Sequence, residues 1–321
     1  MEVQLERDVP ADDRGAGTQP FSPGLSFTEE VSGSDIPVHY TFIEAIDGLY
    51  VPVGLRLPPG EGPFPLVLFA SGNGGGGLRL LRWFTNNRSW TQEEFLKAGY
   101  AIAWLRYRAE VDYAYDKLGK LVEDRRQGRQ LLSRGPLEYE DVISVVEHMK
   151  ALPFIDADRI GYMGSSHGGE MVFKMASEYS GIGAMIASEP ACHEFLRLRP
   201  DETAGINPET GLLNVERMLM RSPEKVRPRI TEEVARERMS TIDTPILVQG
   251  RDQDELQGIF RVSYDLLAEL GKPAEWASYD HEDHGFVYPE RNAAGIYDPN
   301  DVARQSVADS IAFFGRHLRR A

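Results

Sequence analysis

The chain has 321 residues, long enough for one α/β domain with insertions, and its 41% hydrophobic and 10% aromatic content supplies a sizeable core and excludes global disorder. Thirty-five basic residues against fifty acidic ones leave a formal charge of −15, a field that repels phosphate backbones and anionic lipid, so neither nucleic acid nor a membrane surface is expected as a partner. The single cysteine, Cys192, allows no internal disulfide, and no apolar run approaches the roughly 18 residues of a membrane span, so a cytoplasmic protein is expected.

Residues 1–35 are rich in Asp, Glu, Gly and Pro and lack an apolar segment of signal-peptide length; they read as a polar extension, with no cleaved leader expected. Beyond them, runs at 38–46 and 49–57 flank Asp47-Gly48, a turn pair that tolerates positive φ, and predict an antiparallel hairpin. The continuous apolar run 65–70 then predicts a strand covered on both faces. A helix containing Glu93, Glu94 and Leu96 leads through Gly99 into a strand at 100–106, which sets up a βαβ alternation.

Residues 107–135 carry seven basic and five acidic residues with weak periodicity and read as an inserted excursion. From Pro136 the apolar spacing of Leu137, Val142, Val145, Val146, Met149 and Leu152 predicts a helix, followed by a strand at 159–163. Strands are expected again at 184–188, 244–250 and 274–278, the last two joined by a helix that ends at Gly271.

The chemistry starts at Gly164-Ser165-Ser166-His167-Gly168, which fits G-x-S-x-G between an apolar strand and a helical pattern. Small residues at 164 and 168 let the backbone turn tightly, so that Ser166 stands out at the sheet edge as a nucleophile and the His167 backbone N–H faces the place where an oxyanion would form. Glycines after the third predicted strand make the Asn73 backbone N–H the second oxyanion donor. Gly72, Gly74 and Gly77 also satisfy G-x-G-x-x-G, but the acidic residue that a dinucleotide site places at the end of the next strand is missing, because Glu93 and Glu94 fall in a helix.

A base must come late in the chain. His284, in a loop ahead of Gly285-Phe286, is the candidate, while His281 reads as surface; a metal cluster of His281, Asp283 and His284 lacks the spacing that would preorganise it. The orienting carboxylate lies after the strand at 244–250, where Asp252 and Asp254 are both in position. The one not used would cap the following helix.

Residues Asp158-Arg-Ile-Gly161, Gly164 to Gly169, Leu270-Gly-Lys272 and His284-Gly-Phe286 together make the chain from about 36 onward resemble the catalytic domain of the prolyl-oligopeptidase and dienelactone-hydrolase group of α/β-hydrolases. The resemblance implies an α/β-hydrolase fold: a mostly parallel central sheet with an antiparallel N-terminal hairpin, helices on both faces and an inserted lid, here 191–241, in a catalytic domain spanning 36–321. Counting back from Gly271 by the group's spacing selects Asp252 as the acid, with Asp254 as the alternate. The group's usual acid position, three residues past the strand-terminal glycine, holds Gln253 instead.

It also implies acyl transfer to water through an acyl-enzyme on Ser166, with no cofactor and no metal, acting on a small ester or a short peptide. Peptide-cutting members often carry a large N-terminal propeller, and only some 35 residues precede the first strand, so a carboxylic ester hydrolase is expected, with a small-peptide serine peptidase as the alternative. A non-catalytic binding protein on the same fold is the reading of a different class; homo-oligomerisation is left open. The lid segment carries basic and acidic residues in equal number, among them Arg197, Arg199, Arg217 and Arg221, and reads as a solvated face. Met218, Leu219 and Met220, like Trp83, Trp90 and Trp104, are expected to pack, and Cys192 to be a buried small group.

Overall fold

The structure, a computed structural model, describes residues 26–46, 48, 50–70, 72, 77–107, 135–199 and 220–319. Its strands are β1 (Ser26–Glu29), β2 (Val38–Glu44), β3 (Tyr50–Arg56), β4 (Phe64–Ala70), β5 (Ala101–Leu105), β6 (Ile155–Ser165), β7 (Ala184–Ser188), β8 (Ile246–Arg251) and β9 (Ala274–Tyr279). They form one sheet in the order β1-β2-β3-β5-β4-β6-β7-β8-β9, antiparallel from β1 to β5 and parallel from β5 to β9. The expected hairpin is β2 and β3, with Gly48 at φ +78 in its turn. The polar extension is shorter than the expected 1–35, because Ser26–Glu29 pairs with β2 as an edge strand; its polar Ser-Phe-Thr-Glu carries too little apolar signal to announce itself.

Helices cover both faces. Helices α1 (Gly77–Asn87), α2 (Trp90–Lys97) and α8 (Asp301–His317) lie on one; α3 (Gly135–Lys150), α4 (His167–Glu178), α6 (Glu232–Ser240) and α7 (Gln257–Glu269) lie on the other, with the short α5 (Pro223–Val226) packed on α7. The alternation of β4 shows why: Leu66, Leu68 and Ala70 enter the core under α3 and α4, while Val67 and Phe69 enter the core under α2 and α8. A strand buried on both sides must be apolar throughout, which is how 65–70 reads. This is the α/β-hydrolase arrangement.

The excursion expected at 107–135 falls outside the described residues except for its ends, Tyr107 and Gly135. Of the expected lid, 200–219 also falls outside. The described flanks do not stand apart from the domain: Phe195, Leu196, Met220, Val226, Ile230, Ala235 and Met239 are buried in the larger core. Met220 packs as expected, whereas Arg217, Met218 and Leu219 lie outside the described residues. Trp104 is buried against Gly54, Trp90 is half-buried beneath the Arg304 guanidinium, and Trp83 is 42% exposed, so only the first two pack as the sequence leads one to expect. Cys192 is buried. No helix among the described residues is long and apolar enough to cross a membrane.

Phe314 of α8 shows how closely the layers fit. It is fully buried among Phe95, Tyr100 and Phe313, and a Cβ placed on Gly161 of β6 would lie 2.7 Å from its ring. Phe314→Ala is therefore expected to leave a cavity against the central strand and to lower stability by about 3–5 kcal/mol, measured by urea unfolding.

Candidate functional site

Strand β6 runs into α4 with one residue between them, Ser166, and the glycines on either side of the turn, Gly164 and Gly169, sit where a side chain would clash. A Cβ on Gly164 would sit 2.0 Å from the carbonyl oxygen of Gly168, and one on Gly169 would sit 2.8 Å from Ser188 O and Pro190 Cα. The close approach drives Ser166 to φ 58, ψ −118, a strained conformation for a residue with a Cβ. Its N–H donates to Ser188 O at 3.0 Å, and its carbonyl accepts from Glu170 N and Ala191 N. Ser165 and His167 on either side are buried, while Ser166 itself is partly exposed, as the sequence expectation requires.

Gly72, after β4, lies directly beside it. A Cβ on Gly72 would lie 3.4 Å from Ser166 Cβ, and the Gly72 carbonyl accepts from buried Arg106 at 2.8 Å. Asn73, the expected second oxyanion donor, lies outside the described residues. His167 opens α4, so its backbone stands at the positive end of the helix dipole next to Ser166.

The His167 side chain has its own setting, which the sequence did not disclose. Its Nε2 lies 3.1 Å from Glu138 Oε1, its Nδ1 lies 3.6 Å from Glu170 Oε2, and its ring meets Tyr107 edge-on. Glu170 in turn accepts from the N–H groups of Glu194 and Phe195 and faces Lys174, whose Nζ donates to Glu194 at 2.7 Å. Burial pushes the Glu170 carboxyl up, but Lys174, His167 and the Phe195 N–H outweigh it and hold the group at about 2. Lys174→Met is expected to strand that buried carboxylate and cost about 3–5 kcal/mol at pH 7. In the variant Glu170 titrates above its unfolded value, so stability returns as pH falls and the deficit should shrink between pH 7 and 5 in parallel urea melts.

The other half of the site sits on the ends of the next three strands. His284, in the loop after β9, places Nδ1 2.9 Å from Asp254 Oδ2. A carboxylate oxygen can only accept, so Nδ1 carries the proton and Nε2 is left as the basic nitrogen. Burial alone would lower the His284 pKa, but the hydrogen bond to Asp254 and the charge of Glu189 raise it above 6.5 overall. Asp254 is buried, which raises its pKa, yet its bonds to His284 and the Leu256 N–H, with Arg251 nearby, hold it below the ordinary carboxylate range.

Asp252, the acid the sequence spacing selected, is not brought to His284. Its backbone N–H continues the β8–β9 pairing onto Tyr279 O, and its exposed side chain accepts from Ser278 Oγ on the far side of β9. The count forward from the strand gave Gln253 because β8 runs one residue past Gly250, to Arg251, and three residues from that end is Asp254; the count back from Gly271, which gave Asp252, is not met by the structure. His281 is half-buried, its ring stacked on Phe286 with Nδ1 accepting from Asp283 N, and only its backbone carbonyl meets the cluster, accepting from Arg251.

Glu189 was not singled out by the sequence. It is fully buried, follows β7, and takes a positive φ of 46. One carboxylate oxygen accepts from Gly285 N at 2.7 Å; the other lies 3.2 Å from Arg251 Nε and 3.4 Å from His284 Nδ1. Arg251 also donates from Nε and Nη2 to Asp254 Oδ2, at 3.0 and 2.7 Å, and from Nη1 to the carbonyls of His281 and Glu282. Glu189, Asp254 and His284 have the composition of a divalent-cation site, with donor atoms within 4.8 Å of one another, but the cation bridging the two carboxylates is the Arg251 guanidinium.

Ser166, Glu189, Arg251 with Asp254, and His284 thus follow the carboxyl ends of four adjacent parallel strands, β6 to β9, the edge at which open α/β sheets hold their ligands. Compared with known proteins, residues 125–320 match the prolyl oligopeptidase family, more than half of the chain. Among curated proteins, the mitochondrial acyl-coenzyme A thioesterase 2 of Rattus norvegicus is 31% identical over 132 residues, 41% of this chain and 23% of that protein, so the match spans under a quarter of that relative. Dipeptidyl peptidase 4 of Porphyromonas gingivalis superposes with a TM-score of 0.60 at 18% identity, covering 88% of this chain and 36% of that one. A hyperthermophilic esterase from the archaeon Pyrobaculum calidifontis superposes with a TM-score of 0.55 at 17% identity, covering 91% and 88%.

Proposed function

The chain belongs to the prolyl oligopeptidase family, and on that premise we propose that it is a serine hydrolase whose nucleophile is Ser166, whose general base is His284 and whose orienting acid is Asp254, with Asp252 in no catalytic role. One observation carries the reading: the His284 Nδ1 contact to buried Asp254 at 2.9 Å, which fixes the tautomer with Nε2 basic and reserves that nitrogen for a proton from the nucleophile. Ser166 attacks the substrate carbonyl as its proton passes to Nε2. The oxyanion develops beside the first N–H groups of α4, His167 foremost, with the Asn73 N–H as the second donor. Collapse expels the leaving group with the proton returned from Nε2, and water repeats the sequence to release the acid.

The substrate we assign is a carboxylic ester, with thioesters in the same class, acted on as a small molecule. The support is that the curated relative matched over 132 residues is an acyl-coenzyme A thioesterase, an enzyme of activated carboxylic acids. The family description favours a second reading, cleavage of small peptides or amides. Acyl esters, thioesters and anilides of one matched acid separate the two: faster turnover of the anilide would replace the ester reading.

Ser166→Ala is expected to remove hydrolysis of p-nitrophenyl butyrate and labelling by a fluorophosphonate; labelling that persists, or wild-type protein that neither turns over nor labels, would dismiss the assignment in favour of a binding protein. Asp254→Asn should lower kcat by roughly 10³–10⁴-fold through loss of the correct tautomer, while Asp252→Asn stays near wild type. The acid limb of kcat/KM reports protonation of the free base, so its midpoint is expected above the ordinary imidazole value of 6.5, with activity rising through it as pH increases.

A further inference from the structure

Glu189 has no part in the scheme just described, and its surroundings are costly to build. A non-glycine residue at positive φ is strained and persists only where its neighbours over-determine it. Here they do. Its N–H donates to Gln249 O at 2.7 Å, and the chain on either side, Ser188 and Pro190, is wedged against Gly169 of the elbow helix. The result delivers a fully buried carboxylate to the imidazole nitrogen opposite the one that serves the nucleophile.

We propose that Glu189 is a positioning residue that shares the Nδ1 proton of His284 with Asp254, so that the base is held by two carboxylates bridged by Arg251 instead of one. This rests on the hydrolase reading above. Nδ1 is 2.9 Å from Asp254 Oδ2 and 3.4 Å from Glu189 Oε1; Arg251 Nε is 3.0 Å from the first of these oxygens and 3.2 Å from the second. The other Glu189 oxygen holds the N–H of Gly285, the residue after the base, so one side chain fixes both the ring and its backbone.

The charges balance over the reaction. With both carboxylates ionised, the four groups Glu189, Asp254, Arg251 and His284 carry one net negative charge before proton transfer and none once the imidazolium forms. A single carboxylate facing Arg251 would leave the imidazolium as one uncompensated positive charge in a site that buries three of the four groups. The groups facing Glu189 are Arg251 and Asp254 from the end of β8 and the loop behind it, His284 and the Gly285 N–H from the loop after β9, and, at longer range, Tyr288 of that same loop. Burial, with Asp254 adding to it, pushes the Glu189 carboxyl up to about 7 against the pull of His284, Gly285 and Arg251.

The test is Glu189→Gln, which keeps the size and an oxygen for the Gly285 N–H while deleting the charge. With p-nitrophenyl butyrate, the acid limb of kcat/KM should move down by about one pH unit and the plateau kcat should fall roughly tenfold with KM unchanged, since a charge this close stabilises the imidazolium and not the bound ester. Glu189→Asp should restore part of the shift. A folded Glu189→Gln protein, by circular dichroism and melting temperature, whose limb superposes on wild type with kcat within about twofold overturns the proposal. Should that variant not fold, the wild-type protein answers: with ¹⁵N-labelled histidine, the His284 nitrogen shifts should titrate in two coupled steps between pH 5 and 9, and a single step overturns it. That titration needs no turnover. A failed hydrolase assignment would show instead as absent labelling at Ser166, so the two failures are distinguishable.

Discussion

The arrangement depends on a contact between two backbones. Gly164 and the backbone of residue 168 approach so closely that a methyl group on the first would overlap the carbonyl of the second, so a side chain at 164 would block the turn of β6 into α4. The consequences run outward. Ser166 must adopt a positive φ, which lifts its side chain out of the buried row formed by Ser165 and His167. The start of α4 must lie against the end of β7, so Gly169 touches Ser188 and Pro190, and the chain between those two has to turn sharply. That turn is Glu189. Strain at Ser166 and strain at Glu189 are therefore two results of one packing constraint, held in place by the sheet beneath.

Two buried charge clusters flank the elbow, and their difference in exposure separates their roles. Behind α4, His167, Glu138, Glu170 and Lys174 are all nearly inaccessible, and the hydrogen bonds of Glu170 tie the helix to the segment at 194–195. Burying such groups costs desolvation that the pairing roughly offsets, so what the cluster contributes is geometry: it holds the first turn of α4, and with it the N–H groups at the elbow. In front, Glu189, Asp254 and Arg251 are equally buried, but His284 is 41% exposed. One ionisable group of that cluster meets solvent, and it is the one proposed as the base.

The sequence made some of this legible and not the rest. Strands show themselves where both faces are covered, so 65–70 and 184–188 appear as apolar runs close to the bounds of β4 and β7, whereas β1, an edge strand of mixed polarity, does not. The elbow is legible because its chemistry is local: the glycines, Ser166 and the helix all fall within a few residues. His284 is marked by Gly285, which takes φ +80. The acid could not be settled, because Asp252 and Asp254 lie two residues apart and the structure gives them different partners, Ser278 for the first and His284 for the second. A side chain of that kind is fixed by pairing with β9, which is a tertiary fact. Glu189 and Arg251 were out of reach for the same reason: one follows β7 and the other ends β8, and what brings them together is the adjacency of those strands in the sheet.

The electrostatics of the base bear on the choice of substrate. An imidazole held by a close carboxylate, with a second one near, forms its cation readily and so accepts the nucleophile's proton well, but the same raised pKa makes the cation a weaker acid when the proton must be handed to the leaving group. The two halves of acyl transfer place opposite demands on one nitrogen. An amine must be protonated to depart, so amide cleavage feels the weaker acid in full; an alkoxide needs less help, and a thiolate or phenolate needs almost none. A site that strengthens its base at the expense of its acid is better matched to leaving groups that depart with little protonation. Under the roles proposed for Ser166 and His284, the environment of Nδ1 is better matched to esters and thioesters than to peptides.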